Sequence, residues 1–303
     1  MQVVVAGASG FVGQRLCPAL IEAGHEVWAM TRNPGAYGGP GTAVGADVDH
    51  PTTLPAALEG CDAGYYLVHS LDNDDFERKD AEAAVAFGKA AADAGLTRIV
   101  YLGGLGDDRD DLSAHLRSRR EVEGLLGSGG VPVTVLRAGI VVGHGGISWE
   151  LTRQLVEHLP AMVTPKWVTT KCQPIGVDDV VRYLIGVLQC GDEGDRIYEI
   201  GGPDVLSYKQ MMQHVAAIEG RKLPMLAVPI LTPSLSSRWL TLVTDVDGAT
   251  ARNLVDSMSN EVVVRDDSIR SVVPFTLLSY DDQVRRALQE RAVALGQPSK
   301  SRQ

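Results

Sequence analysis

Apolar and polar positions alternate between two rhythms through the first half of the chain. Gln2–Ala6 is a short β-branched apolar run ending at a glycine, the pattern of a buried strand. Phe11–Ala23 then carries apolar residues at helical spacing and stops at Gly24. The alternation repeats. Strands are predicted at Glu26–Thr31, Ala43–Ala46, Ala63–Val68, Arg98–Leu102 and Val131–Leu136, with Arg32-Asn33-Pro34-Gly35 as a turn. Helices are predicted at Thr52–Leu58, Asp74–Ala94 and Ser113–Leu126. The long Asp74–Ala94 segment has acidic residues in its first turn, an alanine-rich body and Gly95 at its end. Strands separated by helices at this interval predict an α/β protein with a parallel sheet covered on both faces. Right-handed crossovers make the doubly wound sheet the default topology.

The second half is less regular. Helices are expected at Trp149–His158, Val180–Gln189 and Ser207–Glu219, the last with Ser207 as N-cap and Gly220 beyond it, and a strand at Arg196–Ile200. Leu223–Val243 is apolar, broken by Pro224, Pro229 and Pro233, and reads as a lid, a pocket wall or an interface. The polar tail Gln297–Gln303 reads as frayed. The pattern divides at about residue 140: a dinucleotide-binding domain over 1–140 and a substrate-binding region over 141–303, partly interleaved with it.

The first strand–helix junction carries Gly7-Ala8-Ser9-Gly10-Phe11-Val12-Gly13. Glycines there let the backbone approach a pyrophosphate, and the helix N-terminus offers N–H groups and the positive end of its dipole. Where NAD-binding folds place an acid, at the end of the second strand, this chain has Thr31-Arg32-Asn33, and no acid occurs between Glu26 and Asp47. A guanidinium pairs with a 2′-phosphate that a carboxylate would repel, so NADP(H) is expected rather than NAD(H). Asp47 follows the third strand and reads either as an acceptor for the adenine amino group or as a turn carboxylate before Pro51.

Composition removes other classes. The net charge is −10, so non-specific nucleic-acid binding is not expected. No apolar run approaches the ~20 residues of a spanning helix, and the Met1-Gln2 start lacks the basic region of a signal peptide, so a cytoplasmic location is expected. Cys17, Cys61, Cys172 and Cys190 match no zinc spacing and read as reduced thiols, with no metal site.

Gly7–Gly13, Thr31-Arg32, Asp47-Val48 and the long helix before Arg98–Gly104 together resemble the atypical, extended-type short-chain dehydrogenase/reductases, especially NmrA-like NAD(P)H-binding and epimerase-like proteins. Arg137–Gly143, Gln173–Val180 and Tyr198–Pro203 extend the likeness through most of residues 1–220. The resemblance implies a Rossmann cofactor cleft. In it Gly7, Ser9, Gly10, Phe11, Val12 and Gly13 hold the pyrophosphate, Thr31 and Arg32 meet the 2′-phosphate, and Asp47 and Val48 flank adenine. Leu67, Val68 and His69 would line the ribose. Gly103 and Gly104, with Ala138, Gly139 and Ile140 of the Arg137–Gly143 segment, would sit on the nicotinamide side. A homodimer is common in such folds.

The family's Tyr-x-x-x-Lys pair is missing. The matching positions are His115 and Arg119, and the fifth strand ends in Gly103-Gly104 instead of a hydroxyl residue. Their i,i+4 spacing puts His115 and Arg119 on one helical face. His115 is the candidate proton carrier and Arg119 the candidate for the lysine's ribose contact, or both merely frame the cleft. Tyr65, Tyr66 and Tyr101 are other candidate acids, although strand positions favour the core. Trp149, Trp167 and Trp239 read as pocket-lining or packing residues. The expected activity is NADPH-dependent reduction of a small apolar carbonyl, enone or quinone. The alternative is a non-catalytic NmrA-like sensor of NADP(H), and sugar epimerisation ranks last because it relies on the absent tyrosine.

Overall fold

The structure is a computed structural model that describes all residues except 71–74, 160, 165, 191–193, 228–244, 246–247 and 298–303. Its centre is a seven-stranded, all-parallel sheet. Six strands come from the first half: β1 (Gln2–Ala6), β2 (Glu26–Thr31), β3 (Thr42–Gly45), β4 (Ala63–Tyr66), β5 (Arg98–Gly104) and β6 (Val133–Ala138). Short strands follow: β7 (Val141–Val142), β8 (Met162–Thr164), β9 (Lys171–Cys172) and β10 (Ile175–Gly176). The seventh sheet strand is β11 (Arg196–Ile200), giving the order β11-β6-β5-β4-β1-β2-β3. The order reverses between β1 and β4, and a doubly wound sheet binds ligands beyond the carboxyl ends of its strands at that point.

Alternation along each strand sorts the core. Val3 and Val5 of β1 face one side with α1 (Gly13–Glu22) and α6 (Val177–Gln189). Val4 and Ala6 face the other, with α2 (Leu54–Leu58), α3 (Phe76–Asp93) and α4 (Ala114–Leu126). A third cluster lies under α5 (Ile147–His158) and α7 (Tyr208–Ile218) and reaches Leu254, Met258 and Tyr280. Trp149 is fully buried in it, and Trp167 packs on it. The second half returns to the main sheet: α6 covers one face, and β11 pairs with β6 from Arg196↔Thr134 to Ile200↔Ala138. Tyr65 Oη donates to Leu184 O (2.9 Å), and Arg98 Nη1 donates to Val187 O (3.0 Å) and Cys190 O (2.7 Å).

Several boundaries differ from the sequence reading. α1 begins at Gly13 instead of Phe11 because residues 7–12 form a tight turn, with Gly7 at φ +89° and the Gly10 N–H donating to Gly7 O. The predicted Thr52–Leu58 helix divides into a 3₁₀ turn at Pro51–Thr53 and α2, prolines standing at the start of each. β6 begins two residues later than expected, after Pro132. Helices at Gly248–Ser257, Ile269–Val272 and Tyr280–Ala294 add to those expected from the sequence; the last is mostly polar but capped by Ser279, whose side chain accepts from the Asp282 N–H. Asp74, Trp239, most of Leu223–Val243 and the tail beyond Gln297 lie outside the described residues. Cys17, Cys61, Cys172 and Cys190 are free thiols. No helix of the described residues is long and apolar enough to cross a membrane, and no cluster among them could hold a metal.

Candidate functional site

A cleft of about 390 Å³ runs along the carboxyl ends of β5, β4, β1, β2 and β3. Its floor is the glycine turn. At Gly7, the left-handed φ and the approach of Leu67, 3.2 Å from where a Cβ would sit, exclude a side chain. A Cβ on Gly13 would lie 2.2 Å from Gly7 O and 2.7 Å from the Ala8 Cα, so the helix can start this close to β1 only with glycine there. No side chain caps the N-terminus of α1. The turn is braced from outside by Arg15: its Nη1 donates to Phe11 O (3.0 Å), its Nη2 donates to His144 O (2.9 Å) and pairs with Glu290 (2.6 Å), and its guanidinium lies over the Phe11 ring.

Of the residues expected to hold the cofactor, Gly7, Ser9, Gly10, Phe11, Val12, Gly13, Thr31, Arg32, Asp47, Val48, Leu67, Val68 and His69 line this cleft, and so does Arg119. Arg32 is exposed at the β2 end and makes no ion pair among the described residues. Asp47 has work within its own turn: it accepts from the Asp49 N–H (3.1 Å), stands 3.3 Å from His50 Nδ1, and its N–H donates to Thr53 Oγ1 (3.0 Å). Gly103, Gly104, Ala138, Gly139 and Ile140 are not among the lining residues. A Cβ on Gly103 would face Glu123 and Tyr101, one on Gly104 would face Leu116, and one on Gly139 would face Val262; Ala138 and Ile140 are core residues. These positions let helix and strand pack closely beside the cleft. Met30, Ala46, Asp49, Ser70 and Leu102 line it without having been singled out. Met30 had a signal, since strand alternation puts it two residues from Trp28; Leu102 and Ser70 are selected only by sheet register.

The β4/β5 end differs from the expected acid–base arrangement. Arg119 reaches the cleft from α4, with Nη2 3.3 Å from Leu102 O and the guanidinium over the Tyr101 ring. Its Nη1 is buried without a hydrogen-bond partner. His115, one turn earlier, does not line the cleft. Desolvation, with the Arg119 charge second, pushes its pKa down to about 3. Of the two roles the sequence offers for His115, proton carrier or residue framing the cleft, this downward shift and its place outside the lining favour the second. His69 opens onto the cleft, yet dense surrounding protein and the Arg119 charge also hold it well below the ordinary histidine range. Burial raises Tyr65 and Tyr66 far above the ordinary phenol value and Tyr101 to about 12, and Tyr101 Oη is 3.4 Å from Arg119 O. All three are core residues. Asp80, buried behind the site, accepts from the Ser70 N–H (2.9 Å), and desolvation raises its pKa.

A stability consequence follows for His115. An unfolded chain binds a proton there near pH 6.5, whereas the folded chain waits until about pH 3. Between those values the unfolded state binds more protons, so stability falls as pH falls, by at most ~1.4 kcal/mol per pH unit for one histidine. Urea unfolding of the parent and His115→Asn at pH 7 and pH 5 should show the parent losing more stability on acidification. Equal losses would mean that His115 is readily protonated in the fold.

Comparison with known proteins places these features. A family model described as NAD(P)H-binding matches residues 7–164. An uncharacterized protein of Mycobacterium tuberculosis is 25% identical over 244 residues; the match covers 80% of this chain and 26% of that protein, so the chain spans about a quarter of its length. Among solved structures, the NADPH-dependent quinone oxidoreductase of Escherichia coli, complexed with NADPH, superposes with a TM-score of 0.75 at 18% identity, covering 94% of this chain and 98% of that one. A nucleoside-diphosphate-sugar epimerase of Staphylococcus aureus gives 0.73 at 15% identity, covering 94% and 99%. Such low identities speak for a shared Rossmann-like architecture, common to reductases and epimerases alike. With the family model spanning just over half of its length, and the glycine turn and cleft where that architecture binds dinucleotides, the chain belongs to the NAD(P)H-binding family.

Proposed function

We propose that the protein is an NADPH-dependent oxidoreductase acting on a small apolar carbonyl, enone or quinone without a Tyr-x-x-x-Lys pair. The observation that carries the cofactor choice is Arg32, exposed on the cleft wall with no ion pair among the described residues and no neighbouring acid at the end of β2. The residues present suit the cofactor in shape and charge. Gly7–Gly13 would cradle the pyrophosphate against the uncapped start of α1. Arg32, with Thr31 beside it, would take the 2′-phosphate, and Met30, Ala46 and Val48 would give adenine an apolar bed. Leu67–Ser70 and Arg119 would then flank the nicotinamide end. The cofactor, when bound, supplies a hydride; the chain's part is to bind, orient and stabilise charge.

The test is calorimetric titration with NADPH, NADP, NADH and NAD. A preference of at least tenfold for the phosphorylated pair is expected, and Arg32→Ala should reduce it by roughly 10–100-fold, as for a charge-assisted hydrogen bond of about 1.5–3 kcal/mol. An unchanged ratio in the variant would sink the NADP assignment. The second reading, a non-catalytic NADP(H) sensor, draws on the same missing tyrosine and lysine. It predicts that one redox form binds much more tightly and that no turnover occurs with carbonyl, enone or quinone substrates.

A further inference from the structure

The two ends of the cleft are both marked by guanidinium groups: Arg32 at the β2/β3 end and Arg119 at the β4/β5 end. Arg119 differs from a surface arginine. Among the described residues no carboxylate pairs with it, and its Nη1 is buried without a partner. The groups facing it are Tyr66 from β4, Tyr101 from β5, Asp80 from α3, His69 beyond β4 and His115 on α4. The tyrosines are locked in the core, His115 does not line the cleft, and His69 does, its pKa held well below the ordinary histidine range by desolvation and by the charge of Arg119. Among the described residues, the lining at this end therefore brings the permanent positive charge of Arg119 and includes no tyrosine or lysine to deliver a proton.

An isolated ketone reduced by hydride becomes a strongly basic alkoxide, which needs a proton as it forms. A conjugated acceptor does not, because the negative charge spreads over the π-system and is stable beside a cation. We infer that this end of the cleft, with Arg119 as the group that meets the developing oxyanion, is built for quinone-type conjugated acceptors and not for isolated ketones or sugars. This rests on the reductase reading above.

A bound reduced nicotinamide would supply the hydride, hydrogen with both electrons, as its C4–H bond breaks. An O–H bond would form at one quinone oxygen, the π electrons would move through the ring, and the second oxygen would become the anion opposite Arg119. The quinone would thus be reduced to the hydroquinone monoanion at the expense of the cofactor's two electrons, and the second oxygen would take its proton from water.

The test reads the charge directly. The protein saturated with NADP is titrated with 4-nitrophenol, an anionic-product mimic whose phenolate absorbs in the visible. The bound phenol should ionise about one pH unit below the free compound, a roughly tenfold preference for phenolate. Arg119→Met should erase that preference, Arg119→Lys should retain most of it, and both variants should still bind NADPH. In turnover, NADPH oxidation with 1,4-naphthoquinone should exceed that with cyclohexanone at least 100-fold, and Arg119→Met should lower kcat more than it raises the KM for NADPH. Equal affinity for phenol and phenolate in the parent, or an unchanged preference in Arg119→Met, overturns the inference. So does a Met variant whose only defect is loss of NADPH binding, which would make Arg119 a ribose contact. Failure of the parent to bind NADPH or NADP in calorimetry would instead overturn the reductase reading.

Discussion

Gly13→Ala should be the most damaging single-methyl change in the cofactor cleft. The new Cβ would stand 2.2 Å from Gly7 O and under 3.0 Å from two Ala8 backbone atoms. None of these is a flexible side-chain end, so either α1 moves away from β1 or the turn opens. Overpacking of this kind costs about 1–3 kcal/mol and more where backbone must shift. Because the same backbone forms the pyrophosphate cradle, the loss should appear twice: in the unfolding free energy and as a weakening of NADPH binding by ~100-fold or more, about 2.7 kcal/mol. Gly10→Ala is the graded control, since its Cβ would meet only Gly7 O, at 3.2 Å. Calorimetric titration and urea unfolding of both variants decide the point. Near-parental binding by Gly13→Ala would show that the turn is not the cofactor's seat.

The second large effect is expected away from the cofactor. Glu123 on α4 is almost fully buried and receives Arg137 Nε (3.1 Å) and Nη2 (2.7 Å) together with Arg120 Nη1 (3.0 Å). Asp108 closes the group, 2.7 Å from Arg120 and 3.4 Å from Arg137, and Arg120 also donates to Gly106 O (3.0 Å). Glu123→Ala would leave two guanidiniums facing each other, Arg137 among them nearly buried, with only the more exposed Asp108 to answer them. Removing one partner of a buried pair costs about 3–5 kcal/mol, far more than the net worth of an intact pair. Urea unfolding should show that loss. Glu123→Ala combined with Arg137→Leu should recover part of it, because the stranded charge goes with its partner. The exposed Arg78, paired with Asp75 and Glu82, is the contrast: Arg78→Ala should leave the unfolding midpoint where it was. A Glu123→Ala variant as stable as the parent would mean the network is solvated in solution.

The first half of this fold was readable because its signals are local. Val3 and Val5 alternate with Val4 and Ala6, helix stops fall on glycines, and the glycine turn is contiguous with the strand and helix it joins. The glycine turn and Thr31-Arg32 were accordingly legible, whereas Leu67–His69, which also line the cleft, were expected only through the family resemblance. Residues that reach the cleft through register were not. Leu102 and Gly103 are neighbours on β5, yet only Leu102 lines the cleft, while Gly103 makes room for Glu123. His115 and Arg119 share a helical face, but the longer side chain alone reaches the site. The last third failed for a different reason: Tyr280–Ala294 buries only a few residues, so its apolar stripe is too thin to read, and its local clues are confined to its ends, Ser279 with Asp281 and Asp282 at the start and Arg291 with Gly296 at the finish. Nothing in the Arg196–Ile200 pattern announces that it joins β6.

That distant pairing bears on how the chain comes off the ribosome. The segment matched by the family model ends at residue 164, before α6 and β11 exist. Until they emerge, β6 presents an unpaired edge and the apolar face holding Leu16, Leu20, Tyr65 and Val100 lacks its α6 cover. A nascent or truncated chain of that length would carry the whole glycine turn and cleft wall, yet would be sticky along one edge and one face. Chaperone dependence should therefore end once β11 has left the ribosome, and expression of the matched segment by itself should give aggregates instead of a small soluble binding module.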